Sequence, residues 1–132
     1  MLKKIEEYQD FLTREGASRV KLEKLLMRLN FVKSLILNGD LKSIQQIENL
    51  SEMMGDFELL KSAYELELSV LIKERKVINE FINNQEEPYL VSLLTYRILE
   101  GMTWEEIEGF LPGSDKTNRR LYKKFIKTLS EN

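Results

Sequence analysis

The 132 residues are enough for one domain, or for one small module with a helical extension, and at 42% hydrophobic and 32% charged they suit exposed amphipathic helices rather than disorder. The absence of cysteine and histidine excludes disulfides, thiolate zinc sites and the commonest general base and metal ligand. No apolar run is long enough to span a bilayer, and Met1-Leu2-Lys3-Lys4-Ile5-Glu6-Glu7 shows no signal-peptide core, so the cytoplasm is the expected compartment.

In chain order, Ile5, Tyr8 and Leu12 share a helical face, and a first helix is expected from the start to about Arg14, with Gly16 interrupting or ending it. Leu22, Leu25, Leu26, Leu29, Val32 and Ile36 form the stripe of a second. Asn38-Gly39-Asp40 reads as a stop and restart, with Gly39 at a left-handed C′ position and Asp40 as N-cap. Ile44, Ile47, Leu50 and Met54 keep the helical spacing up to an expected break at Gly55-Asp56. A long helix follows from about Phe57 to Asn83. One apolar row runs through Leu60, Tyr64, Leu71, Ile78 and Phe81, and a second through Ala63, Leu66, Val70 and Val77. Glu67 and Glu74 fall where a strict heptad wants apolar residues, which favours bundle packing over a pure two-stranded coiled coil. The polar run Asn83-Asn84-Gln85-Glu86-Glu87-Pro88 is the candidate linker, dividing a helical dimerisation or protein-contact region (residues 1–84) from a C-terminal module (residues 85–132).

Three short helices are predicted beyond the linker, near residues 88–100, 104–111 and 115–129, and no strand anywhere. Pro88 suits a first helical turn, Leu90, Leu93, Leu94 and Ile98 give an apolar stripe, and Gly101 closes it. Thr103-Trp104-Glu105-Glu106 is a capping-box sequence. Trp104, Ile107 and Leu111 share the inner face of the next helix, and Trp104 is read as a core residue. Pro112-Gly113 stops that helix, and Ser114 or Asp115 caps the last one.

Charge is concentrated in this last segment. Ser114 to Asn132 holds six basic residues and two acids, a net +4, which leaves fourteen basic against twenty acidic residues, a net −6, on Met1 to Gly113. At 100° per residue Tyr122, Phe125, Ile126 and Leu129 cluster on one side of the last helix, with Leu121 beside them. Lys116, Arg120, Lys123 and Lys127 cluster opposite, flanked by Arg119 and Lys124. A cationic stripe behind a packed face suits contact with a polyanion: lysines meet phosphates, and arginine can also read guanine edges in a major groove. A short helix, a tight turn and a longer basic helix have the proportions of a helix-turn-helix.

The run Leu94-Thr95-Tyr96-Arg97-Ile98-Leu99-Glu100-Gly101-Met102-Thr103-Trp104-Glu105-Glu106-Ile107 resembles sigma-factor region 4, where one helix ends in Arg-Tyr-x-Glu-Gly and the next begins Ser/Thr-aromatic-Glu-Glu-Ile. Phe110-Leu111-Pro112-Gly113-Ser114-Asp115-Lys116-Thr117 is similar to the turn of that motif. Small phage and prophage regulators of the ArpU and RinA kind, which activate transcription, carry a similar C-terminal module after a helical N-terminal part. The resemblance covers roughly the last third of the chain. It implies an all-α protein that binds double-stranded DNA and regulates transcription, with the stretch Ser114 to Lys124 meeting DNA. The chain departs from the pattern at Glu108, where a small residue is usual at the helix crossing and Gly109 is the substitute expected. It departs again at Pro112, in place of a turn glycine, and at Asn118, where an apolar residue is usual.

The candidate DNA-binding residues are therefore Ser114, Lys116, Thr117, Arg119, Arg120, Lys123, Lys124 and Lys127. The expected partners are DNA, a second copy of the chain, and RNA polymerase. No cofactor, metal or catalytic set is read: Glu105, Glu106 and Glu108 spread around a first helical turn, Met53-Met54 is packing material, and Glu86-Glu87 is a solvated linker. Two other functions fit the same features. One is a non-DNA-binding helical adaptor that contacts a protein such as RNA polymerase. The other is a small DNA-packaging subunit of the terminase type. The apolar positions before the linker exceed what one hairpin can bury, so either a compact bundle or a dimer is expected there.

Overall fold

The computed structural model describes residues 1–39 and 44–131, with side-chain surroundings from residue 47 in the second stretch. Among the described residues all regular structure is helical: α1 (Leu2–Leu37), α2 (Ile44–Asn83), α3 (Pro88–Leu94), a π-helical turn (Thr95–Leu99), α4 (Trp104–Glu108) and α5 (Asp115–Ser130). No helix among them is long and apolar enough to cross a membrane.

Two of the expected breaks do not occur. α1 runs through Gly16, so the helix predicted to stop near Arg14 and the one from Leu22 are a single element; α2 likewise runs through Gly55. A glycine costs about 1 kcal/mol relative to alanine in a helix interior. Neither position has a left-handed backbone, and a Cβ at either would stand in open space, so the helix continues through both. Gly39 does adopt the left-handed conformation, at φ +74°, and its N–H returns to the Ile36 carbonyl at 3.0 Å, which ends α1. The Asp40 cap and the Ile44 side chain lie outside the described residues.

The chain forms two compact units. One comprises Met1–Leu12 and Val70–Asn132, the other Thr13–Ser69. This division differs from the one expected at residues 84 and 85, because the turn after α2 joins helices of the same unit. The ends of α1 and α2 supply half of its core. Ile5, Tyr8, Leu71, Ile78 and Ile82 are buried together with Leu93, Leu94, Ile98, Leu99 and Ile107.

The helix predicted over 88–100 is α-helical only to Leu94. Thr95 donates its hydroxyl back to the Val91 carbonyl at 2.8 Å, a back-bond that bends helices, and the Glu100 N–H then reaches the Thr95 carbonyl across a wider π turn. At its end the Leu99 carbonyl accepts from the Tyr8 hydroxyl at 3.1 Å and from Arg75 Nη1 at 2.8 Å, while Arg75 Nη2 donates to Glu100 at 2.8 Å. The Arg75 guanidinium is held above its ordinary range chiefly by the Glu100 hydrogen bond, with Tyr8 assisting against partial burial. One arginine thus ties α2 to the terminus of the helix before α4.

Among its described residues the Thr13–Ser69 unit is a pair of antiparallel helical segments, one from α1 and one from α2. Tyr64 donates to Glu15 at 2.7 Å, and that bond, aided by desolvation, raises the tyrosine pKa above its ordinary value of 10.0. Leu29 is buried, and Leu22, Leu25, Phe57, Tyr64 and Leu68 are half-buried. Large apolar side chains remain in water: Met27 is 72% exposed, Phe31 65%, Leu59 73% and Leu66 71%.

Candidate nucleic-acid interface

The approach to α5 is set by two caps and a polar knot. The capping box forms as the sequence predicts: Thr103 Oγ1 accepts from the Glu106 N–H at 3.2 Å, and Glu106 Oε1 accepts from the Thr103 N–H at 3.4 Å. α4 then ends at Glu108, three residues before the predicted end, because the Gly109 and Phe110 N–H groups turn back to the Glu106 and Ile107 carbonyls in a tightened last turn. Glu108 is exposed. A Cβ on Gly109 would meet only the Glu106 carbonyl, so neither residue forms the crossing contact that Gly109 was expected to supply.

The turn before α5 is organised by Asn118, the polar residue at a position where an apolar one was expected. Asn118 is fully buried. Its Oδ1 accepts from the Tyr89 hydroxyl at 2.6 Å, and its Nδ2 donates to the Gly113 carbonyl at 3.3 Å. The same Tyr89 hydroxyl accepts from the Gly113 N–H at 3.0 Å. Both polar groups of one turn residue are thus paired without water, by side chains from α3 and α5. A Cβ at Gly113 would collide with the Tyr89 hydroxyl and come within 2.9 Å of Asn118 Oδ1. Glycine therefore follows Pro112 here because of close approach rather than backbone sign.

Trp104 is half-buried between cations. The Arg97 guanidinium lies 4.4 Å from its ring centroid and also donates to the Met102 carbonyl at 2.9 Å; Arg119 lies 6.0 Å away on the α5 side. Tyr122 of α5 packs edge-on to the indole at 5.4 Å and receives a long hydrogen bond from Gln9. With Phe125 against Phe81 at 6.3 Å, these contacts fix which side of α5 faces inward.

The opposite side of α5 gathers some of the predicted contact residues and not others. Lys116, Arg120, Lys123 and Lys127 are exposed on one stripe, and among the described residues none of the four has an ion-pair partner. Lys116, Arg119, Arg120 and Lys123 line one shallow depression of about 310 Å³. Arg119 is held at its edge by an ion pair with Asp115 at 2.5 Å. Lys124 turns away and borders an apolar groove with Tyr89, Leu90, Leu121 and Phe125. Ser114 and Thr117 are spent on the cap: Ser114 Oγ accepts from the Thr117 N–H at 3.2 Å and donates to Thr117 Oγ1 at 3.0 Å.

Sequence reasoning did not single out Tyr89, Arg97 or the Tyr96–Phe110 pair, whose rings lie 5.6 Å apart with Phe110 66% exposed. The Asn118 departure was the available signal for the first. An exposed phenylalanine beside the Pro112-Gly113 turn was the signal for the last. No protein family, curated protein or solved structure is found to match the chain.

Proposed function

We propose that α4, the Gly113 turn and α5 act as a helix-turn-helix on double-stranded DNA, with α5 as the recognition helix. The observation that carries this reading is the exposed stripe of Lys116, Arg120, Lys123 and Lys127, without ion-pair partners among the described residues, opposite a face fixed by Asn118, Tyr122 and Phe125. Cations without internal partners release counterions from a phosphate backbone on contact, which is the main source of non-specific affinity for duplex DNA. The resemblance to sigma-factor region 4 and to the ArpU and RinA regulators extends the reading to transcriptional regulation, as a phage or prophage activator working in the cytoplasm.

Arg120 lies in the second turn, on the stripe and free of Asp115, and is assigned to base readout. Lys127 lies two turns further on and is assigned to phosphate. Arg120→Ala should weaken binding to a selected cognate duplex by about 1–3 kcal/mol and binding to random duplex much less. Lys127→Ala should weaken both equally and lower the salt slope by about one. Fluorescence anisotropy on both duplexes at two salt concentrations separates the roles. Equal losses on both duplexes for Arg120→Ala would remove its assignment as a reader.

A further inference from the structure

The antiparallel pair in the Thr13–Ser69 unit is polarised by charge. Its α1 segment, residues 13–37, has six basic and two acidic residues, a net +4, and its α2 segment, residues 44–69, has one basic and six acidic residues, a net −5. On one side of the pair an open depression of about 430 Å³ is bordered by Met27, Arg28, Phe31 and Val32 of α1 and by Met53 of α2. Met27 and Phe31 are among the most exposed apolar side chains of the unit. Lys24, Met27, Arg28 and Phe31 stand three and four residues apart and so share one helical face; Glu52 and Asp56 share one in the same way beside Met53. Lys24, Arg28, Glu52 and Asp56 are exposed, and among the described residues none has an ion-pair partner within the chain.

We propose that this face is a self-association surface, on which a second copy of the chain seats its own, with each α1 segment against the partner's α2 segment. Charge selects the occupant. An apolar strip between a basic and an acidic helix repels part of any partner of one sign. A second copy turned about a two-fold axis offers the opposite sign to both halves at once. Charge also selects the arrangement. Two such pairs can stack with the axis across the helices, which sets α1 on α1 and α2 on α2, or with the axis along them, which sets each α1 on the partner's α2. The first opposes +4 to +4 and −5 to −5, whereas the second brings unlike charges together. An axis along the helices leaves every residue at its own level, and Arg28 and Met53 already border the same depression. Lys24 and Arg28 therefore come to the level of the partner's Glu52 and Asp56, while Met27 and Phe31 are withdrawn from water between them. The surface lies wholly within one compact unit, and the association does not depend on the DNA-binding reading.

Sedimentation of the full chain over a range of concentrations should show a dimer. Met27→Glu combined with Phe31→Glu should weaken association about 100-fold or more with an unchanged circular dichroism spectrum, since both side chains already face water. Lys24→Glu with Arg28→Glu should weaken it about tenfold or more, and so should Glu52→Lys with Asp56→Lys, because each change sets like charges across the contact. The chain carrying all four reversals should dimerise as the wild type does, since the reversed groups again meet opposite signs. A monomer at every concentration, a dimer indifferent to Met27→Glu with Phe31→Glu, or a folded four-residue variant that associates as weakly as the two charge-reversed ones would each overturn the proposal.

Discussion

Asn118, Tyr89 and Gly113 act as one device, and their energetics should be coupled. Removing a single member of a buried hydrogen-bonded set leaves its partners unsatisfied, at about 1–3 kcal/mol. Asn118→Ala and Tyr89→Phe should each cost that much in urea denaturation. The double variant should cost clearly less than the two losses added, because the second change removes a group already deprived of its partner. Gly113→Ala should be at least as damaging as either, since the new methyl group would displace the tyrosine hydroxyl. Full additivity of Asn118→Ala and Tyr89→Phe would show that the knot does not hold the turn. Sequence inspection does flag Asn118 as a polar residue at an apolar position. It cannot supply the partner, because Tyr89 lies 29 residues away and meets Asn118 only once α3 and α5 are packed. The same limit applies to Arg97: its place in the motif is visible in the sequence, whereas its stacking on Trp104 and its bond to Met102 are tertiary facts.

At the scale of elements, glycine has two opposite roles in this chain. Gly16 and Gly55 sit inside helices with open space where a Cβ would stand. Gly16→Ala and Gly55→Ala should each stabilise the protein by about 0.4–1 kcal/mol, through less freedom in the unfolded chain and better helix propensity. Gly101 has φ +63°, and a Cβ there would lie 2.9 Å from Leu12 Cδ2. Gly101→Ala should therefore destabilise, by about 1–3 kcal/mol for the forced left-handed backbone. Thermal melts of the three variants should show two rises and one fall, and a fall for Gly16→Ala would mean that α1 does bend there. The sequence distinguishes these glycines only in part. Gly39 and Gly101 stand at the ends of apolar stripes, whereas Gly16 and Gly55 interrupt stripes that resume beyond them, and propensity alone cannot decide whether a helix pauses or continues. The π turn at Thr95–Leu99 left no sequence signal beyond a threonine that could bond backwards, because its register depends on the Leu99 carbonyl meeting Tyr8 and Arg75.

For the molecule as a whole, composition indicated an all-helical chain, and the capping box and Ser114 cap located α4 and α5 to within a few residues. The grouping of helices was not legible. The polar linker reads as a boundary, yet Ile78 and Ile82 before it share a buried core with Leu93 and Ile98 after it. The division of charge was legible, and the structure gives it a place: four of the six basic residues of the last segment share one exposed stripe of α5, while Arg119 is paired with Asp115 and Lys124 faces the groove beside α3. The central claim is that this stripe is a phosphate-binding surface. Its most direct test is the salt dependence of duplex binding by the wild-type chain and by a variant with Lys116, Arg120, Lys123 and Lys127 all changed to glutamine. Between about 50 and 200 mM salt, log affinity for the wild type should fall linearly with log salt, with a slope of about −0.9 for each phosphate neutralised, and the folded variant should lose up to four such contacts. A folded variant that binds with the wild-type slope would contradict the account.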